Sequence, residues 1–469
     1  MQPSVKVIEM GHEILFDGFA KNKKEESMAR PKSMPLRSTL VKFFSRDAIL
    51  ALARSVGAVV RQRKVDIVAL VETMVLGFSS GRKRSLAQLR RAYETATNTT
   101  IEESSFYDRF NNGLARLVKA MAGEAFSKLE GLGRELAGPL AIFRDVLFTD
   151  STVMRLHDLL EKAFRGSRTN HSKAALKMHV VLSVLGKGEN SIKVTEGRRH
   201  DGPVFQVGSW VRDRLLMFDL GYYRYQLFAC ITRNHGYFIS RFKDTANPMI
   251  VAQNIVPRGR AVEMVGRQLH SVLADLKRQT IDVMVQVSFR RRGYLGKATM
   301  ATQTLRLVGV RDPVTGEYHL YITNIPVERL TATEVAQVYG ARWQIELLFK
   351  ELKSHYRIAD LPSSKRPVVE TLLYAAILTL ALSRRLLHLV RCKVKGMADR
   401  LPEQRWAIIF TEMACSLLML LIYPRRETRR LERTLITTIL HEAIDPNASR
   451  LSLLPSIETG CHRYALNPL

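Results

Sequence analysis

From Leu40 to about Leu136, apolar residues recur at three- and four-residue steps. Segments such as Ala48 to Val60, Val65 to Phe78, Ser85 to Thr95 and Asn111 to Phe126 carry the pattern, with polar turns between them. That period puts the apolar side chains on one face of a helix and predicts a helical region. After Pro139 the pattern shortens. Asp145 to Asp150, Met178 to Leu185, Ser191 to Thr195, Arg214 to Asp219 and Tyr237 to Phe242 are short apolar runs separated by Gly, Asn and Asp, and they read as strands. Farther on, Ile281, Val283, Val285, Val287 and Phe289 alternate with Asp282, Met284, Gln286 and Ser288, the period of a half-buried antiparallel strand. Leu305 to Val310 and Tyr318 to Thr323 flank Arg311-Asp-Pro-Val-Thr-Gly-Glu317, a hairpin turn by composition.

These elements predict an α/β protein: a mixed sheet with flanking helices. Five regions follow: a basic arm over 1–35, a helical N-terminal region over 36–138, a sheet core over 139–243 and 326–390, a β-rich insertion over 244–325, and a helical C-terminal region over 391–469. Within the second, Ser85 to Tyr93 followed by Glu103 to Phe110 reads equally as a DNA-binding helix-turn-helix presenting Arg90, Arg91 and Arg109, or as an ordinary helix pair.

The stretch Tyr339-Gly-Ala-Arg342-Trp343-Gln-Ile-Glu346-Leu-Leu-Phe-Lys-Glu-Leu-Lys353 is predicted to be one continuous helix. On it Tyr339, Arg342, Glu346 and Lys353 share a sector roughly 60° wide, while Ala341, Ile345, Leu348, Phe349 and Leu352 form a buried face. Arg342 and Glu346 are four apart, the spacing of an ordinary surface ion pair. The pair is more than that because a phenol, a guanidinium, a carboxylate and an ammonium on one narrow stripe can grip phosphate.

Charge narrows the partner. Lysine and arginine total 72 against 44 acidic residues, a formal net charge of +28 over 469 residues, which attracts polyanions and makes double-stranded DNA the leading partner. The start has no secretory pattern, and the most apolar segments, Thr371 to Leu382 and Met413 to Tyr423, are too short to span a bilayer, so a cytoplasmic protein away from membranes is expected. Cys230, Cys392, Cys415 and Cys461 have no paired spacing, which argues against a disulfide framework or a zinc site.

Asp150 and Asp219 each end an apolar run, and strand ends deliver residues to a common sheet edge. If the helix bearing Glu346 packs there, three carboxylates surround one point, a donor set suited to two Mg²⁺ or Mn²⁺ ions and to in-line phosphodiester displacement. His179, His200 and His235 lie near the sheet and read as structural residues without a role.

Tyr339-x2-Arg342-x3-Glu346-x6-Lys353 resembles the Tyr-Arg-Glu-Lys signature of bacterial insertion-sequence DDE transposases, the insertion-sequence-four family. Arg342-Trp343-x-Ile345-Glu346-x-x-Phe349-Lys350, Phe148-Thr-Asp150, Asp219-Leu-Gly221-Tyr222 and Ile322-Thr-Asn-Ile-Pro326 extend the likeness over about 145–385. The resemblance implies an RNase H-like catalytic core interrupted by a β-rich insertion, with Asp150, Asp219 and Glu346 as catalytic metal ligands. It assigns Tyr339, Arg342, Lys353, Trp343 and Lys350 to DNA. It further implies cleavage and strand transfer at terminal inverted repeats, a hairpin intermediate, insertion into target DNA and a homodimer bridging two ends. The tryptophan that usually stacks a flipped base in the insertion is missing. Tyr294 is its candidate substitute or a plain hairpin-tip aromatic, and Arg290, Arg291 and Arg292 are candidate backbone grips. Two other functions use the same features: a nuclease or resolvase that cuts without joining, and a catalytically silent, transposase-derived DNA-binding protein.

Overall fold

A computed structural model describes residues 34–446, apart from 60–64, 78–84, 130–135, 137, 168–171, 187–188, 256–262, 292–298 and 395–399. The chain divides into two units, Met1–Pro35 and Leu36–Leu469, and the fold set out below is that of the second. The arm over 1–33 and the tail Leu451 to Leu469 lie outside the described residues.

Among the described residues, six α-helices come first: α1 (Leu36–Phe43), α2 (Arg46–Ser55), α3 (Ile67–Glu72), α4 (Leu86–Thr97), α5 (Glu103–Tyr107) and α6 (Asn112–Ser127). Their starts follow from capping chemistry. Asp66, Ser85 and Asn111 each place a side-chain oxygen on backbone N–H groups of the first turn that would otherwise lack a partner. Arg90 is drawn toward Glu103, 3.9 Å away, so one cation of the helix-turn-helix reading is engaged inside the helix pair, while Arg91 stays exposed.

Among the described residues, nine strands form one sheet: β1 (Asp145–Arg155), β2 (Ala175–Ser183), β3 (Ser191–Glu196), β4 (Arg214–Phe218), β5 (Tyr237–Arg241), β6 (Met249–Gln253), β7 (Thr280–Arg290), β8 (Met300–Arg311) and β9 (Tyr318–Thr323). Their spatial order is β3-β2-β1-β4-β5-β9-β8-β7-β6. β1, β4 and β5 run parallel, while β2 and β3 fold back antiparallel on one side. All five residues of β4 are buried, as a central parallel strand covered on both faces requires. The strands β6 to β9 of the region read as a β-rich insertion over 244–325 make no sheet of their own. β9 pairs antiparallel with both β5 and β8, so this region continues the first sheet edge to edge.

One face of the sheet is covered by α8 (Tyr225–Arg233) and α9 (Leu269–Asp275), whose Phe228, Ile231, Leu269 and Val272 join Phe218, Phe238, Val283, Val285 and Leu307 in a continuous apolar core. α10 (Ala332–Gly340) packs on β5, β7, β8 and β9, and α11 (Trp343–Ser354) packs on β1. The alternation read for β7 holds except at Asp282, which is buried. Its side chain pairs with Arg306 of β8 at 2.5 and 2.9 Å, and Arg306 also donates to the carbonyls of Ile325 and Leu330. This buried guanidinium ties the sheet to the segment that leads into α10.

α12 (Arg366–Lys393), α13 (Glu403–Ile422) and α14 (Arg425–Glu442) complete the described chain. α12 and α13 extend well beyond the short apolar segments read from the sequence and are long and apolar enough to cross a bilayer by length and composition. α12 packs along α6 and is largely buried inside the protein, so packing among helices accounts for its apolar character.

Candidate active site

β1 and β4 lie side by side and parallel, with Thr149 opposite Phe218, so the next residue on each strand, Asp150 and Asp219, sits at the same level. Asp219 leaves β4 at its end, as expected. Asp150 does not end a strand: β1 runs on to Arg155, and Asp150 occupies its middle, where its neighbour β4 has stopped. The third carboxylate, Glu346, lies in the first turn of α11.

The continuous helix predicted for 339–353 is broken. Tyr339 belongs to α10, and Ala341 and Arg342 form a tight turn in which the N–H groups of Ala341, Arg342, Gln344 and Ile345 bond to carbonyls three residues back. The backbone stays close to helical, so Arg342 and Glu346 still share a face. The apolar face is as read: Ala341, Ile345, Leu348, Phe349 and Leu352 are all buried.

Arg342 is the hub. Its Nη1 lies 3.1 Å from Asp150 Oδ2 and its Nη2 lies 2.5 Å from Glu346 Oε1, so one guanidinium spans two carboxylates from distant parts of the chain. The pair is therefore not an ordinary surface bridge, since the Arg342 side chain is only 14% exposed. Burial pushes the Asp150 carboxyl up to about 6, against the pull of Arg342 and the Ser151 N–H, with Asp219 and Glu346 adding repulsion. The neighbouring anions hold the Arg342 guanidinium charged in spite of its burial. Among the described residues, no three His, Cys, Asp or Glu side chains converge closely enough, as placed, to hold one ion.

Tyr339 was expected to face phosphate. Instead its ring is buried, packs on Tyr321, and its hydroxyl donates to the Phe218 carbonyl at 3.1 Å, immediately before Asp219. Trp343, Lys350 and Lys353 are exposed on α11. Arg290 ends β7, where its carbonyl accepts from Gln226, and Arg291 follows it on the surface; Arg292 and Tyr294 lie outside the described residues.

α11 is held from behind by a buried polar network. Glu351 is fully buried and pairs with Arg384 of α12, which also reaches Glu403 of α13 at 3.5 Å, while Arg391 reaches the same carboxylate at 2.6 Å. Glu351 thus points into this support and away from the stripe that carries Arg342 and Glu346.

A second polar cluster went unread in the sequence. Thr149 and Ser151 point to the sheet face opposite Asp150, where His179 faces Ser151 across the β1–β2 ladder. His179 is buried, with Nε2 2.9 Å from Thr195 Oγ1 and Nδ1 3.2 Å from Asp201 Oδ1, and Lys177 lies 3.4 Å from the same carboxylate. Asp201 opens the short helix α7 (Asp201–Val204). Burial alone would raise its carboxyl, but His179, Ser151 and Lys177 together hold it below its ordinary value. Gly221 permits this approach: a Cβ there would come 2.9 Å from Asp201 Oδ2. The signal available was a motif glycine two residues past Asp219.

The model of the transposase DDE domain matches residues 142–382 of the 469. The chain belongs to the DDE transposase family. Its members cleave DNA and transfer strands, and the two aspartates and Glu346 all fall inside the matched span. The transposase of insertion sequence element IS1151 from Clostridium perfringens is 21% identical over 327 residues, covering 64% of this chain and 69% of that one. That of element IS231C from Bacillus thuringiensis subsp. berliner is 21% identical over 458 residues, covering 85% and 93%. A cryo-EM structure of the piggyBac transposase synaptic complex with hairpin DNA aligns with a TM-score of 0.43 at 11% identity, covering 90% of this chain and 88% of that one.

Proposed function

We propose that this transposase excises and inserts an insertion sequence by cutting and rejoining DNA at its terminal inverted repeats, with Asp150, Asp219 and Glu346 as the ligands of a divalent metal pair. The observation that carries the reading is the Arg342 guanidinium resting between Asp150 and Glu346. Two carboxylates that share one buried cation form a place that demands positive charge, and their all-oxygen donors suit Mg²⁺ or Mn²⁺. The residues thus fit the metal by chemistry, provided Arg342 withdraws and lets the three carboxylates close. When bound, the metal pair would supply the Lewis acidity for in-line displacement at a phosphodiester.

The protein's own groups supply the rest. Tyr339 holds the Phe218 carbonyl and so fixes the turn that carries Asp219. A displaced Arg342 is free to meet a non-bridging phosphate oxygen near the scissile bond, since guanidinium and phosphate pair through parallel hydrogen bonds. Lys353, Lys350 and Trp343 on α11 and Arg290 and Arg291 at the end of β7 offer the DNA backbone cationic and stacking contacts. The order β3-β2-β1-β4-β5, with three parallel strands and two folded back, supports an RNase H-like core over 139–243 and 326–390. Cut-and-paste chemistry through a hairpin, a homodimer joining two ends and a cytoplasmic, nucleoid-associated setting complete the reading.

The test uses DNA ending in the element's inverted repeats, with Mg²⁺. The unaltered protein should nick and join it, and Asp150→Ala, Asp219→Ala and Glu346→Ala should bind it without cutting. Cleavage that persists in those variants removes the mechanism.

A further inference from the structure

The backbone ladder between β1 and β4 ends at the pair Thr149 and Phe218. Asp150 and Asp219 are the next residues on the two strands, so the pairing that aligns β1 with β4 stops one residue short of the carboxylates. Their spacing depends on contacts from elsewhere. Asp201, at the start of α7 in the connection between β3 and β4, supplies such contacts from the opposite face of β1.

β2 holds Asp201 in place. His179 Nδ1 lies 3.2 Å from Asp201 Oδ1, and Lys177 Nζ lies 3.4 Å from the same oxygen and 3.5 Å from Oδ2. The Lys177 and Asp201 side chains are only 14% and 15% exposed, so the carboxylate is largely shielded from water and needs these partners. They account for its charge. They do not account for what it reaches on the other side.

Two contacts lead from Asp201 to the two aspartates. The first runs through Ser151, whose side chain interacts with Asp201 and with the Tyr222 hydroxyl. The Ser151 N–H donates to Asp150 Oδ1 at 2.7 Å, so the residue engaged by Asp201 is also the one that orients the first carboxylate. The second runs through Gly221, where a Cβ would come 2.9 Å from Asp201 Oδ2. Gly221 lies in the turn that begins at Asp219 and closes through the Tyr222 N–H on the Asp219 carbonyl at 3.0 Å. α7 fits as closely one step on, since a Cβ at Gly202 would come 2.6 Å from Arg224 Cδ.

We propose that Asp201 is a positioning residue of the DNA-cleaving centre, a brace that fixes the spacing of Asp150 and Asp219 through Ser151 on one strand and the Gly221 turn on the other. The inference rests on the reading of those aspartates as metal ligands. Groups that hold metal ligands in place typically cost about 10–100-fold in metal affinity or activity when removed. An Asp201 that served the fold alone would lower stability and leave the metal affinity of the folded protein as it was.

The experiment follows Mn²⁺ binding to the full chain, without DNA, by the electron paramagnetic resonance of free Mn²⁺, and records Tm in chelator for each variant. Asp201→Asn, which keeps the size and removes the charge, should weaken Mn²⁺ binding about tenfold. It should also slow single-turnover cleavage of DNA ending in the inverted repeats while leaving DNA affinity unchanged. Ser151→Ala leaves the ion pairs of Asp201 in place, and it should weaken Mn²⁺ binding in the same direction. Ser151→Thr keeps the hydroxyl and should restore it. Mn²⁺ affinity equal to that of the parent protein in either Asp201→Asn or Ser151→Ala, whatever the change in Tm, overturns the proposal; should Asp201→Asn fail to fold, the two Ser151 variants decide. Asp150→Ala separates the two readings. Mn²⁺ binding that survives Asp150→Ala removes the metal site itself, whereas binding lost there and kept in Asp201→Asn and Ser151→Ala removes only the brace.

Discussion

Arg342 Nη1 lies 3.1 Å from Asp150 Oδ2, a contact that spans 192 residues of sequence and puts a fixed cation beside a carboxylate proposed to hold metal. Removing that cation should expose the repulsion it masks. In chelator, Arg342→Ala should lose about 2 kcal/mol of stability, below the usual cost of breaking a buried pair because both carboxylates keep some solvent. Adding Mg²⁺ should recover much of the loss. Thermal melts with and without Mg²⁺ check this, and equal losses in the two buffers would show that Arg342 and metal do not compete.

Tyr339→Phe tests the link between α10 and the Asp219 turn. Loss of the hydroxyl leaves the buried Phe218 carbonyl short of a donor, at a cost of about 1 kcal/mol. The expected signature is a fall in the cleavage rate constant with DNA affinity unchanged. A purely affinity-based defect would return Tyr339 to the role of phosphate contact.

The buried pair Asp282–Arg306 should behave asymmetrically. Arg306→Met strands a buried carboxylate and frees the carbonyls of Ile325 and Leu330, and it should cost about 3–5 kcal/mol in urea unfolding. Adding Asp282→Leu should restore part of that. No recovery in the double variant would mean that the carbonyl contacts dominate.

Glu72, at the end of α3, gives a pH signature far from the site. Burial, with Asp66 adding repulsion and Arg46 opposing it, raises its carboxyl to about 7 from 4.5. A carboxyl raised in the folded state contributes stability that is fully present below about pH 4.5 and is lost as pH rises through about 7. Glu72→Gln should therefore match the parent protein near pH 4 and exceed it by about 3 kcal/mol above pH 8. A stability difference that stays constant across that range would contradict the assignment.

Much of this architecture could be read from local pattern alone. The strands around Asp150, His179, Lys193, Leu216 and Phe238 declared themselves because each is a short apolar run bounded by turn residues. β6 did not: it has five residues and a register shift between Ile250 and Ala252 that spoils its alternation. The break between α10 and α11 was signalled by Gly340, but the stripe of polar residues survives a single tight turn and hides it. Asp282 looked like the solvent side of β7 because its partner, Arg306, comes from another strand, and no local period reports a cross-strand ion pair. For the same reason Arg342 could be matched to Glu346 from spacing, whereas its reach to Asp150 exists only in three dimensions.

The strand β9 has a mechanical consequence. It is hydrogen-bonded on one side to β5 and on the other to β8, so the backbone ladder runs from β3 to β6 with no seam. A tug at the outer rim, where Arg290 is proposed to grip a strand of DNA, is transmitted through successive hydrogen-bonded strands toward Asp219. The enzyme would therefore feel its cargo as tension across a single plate.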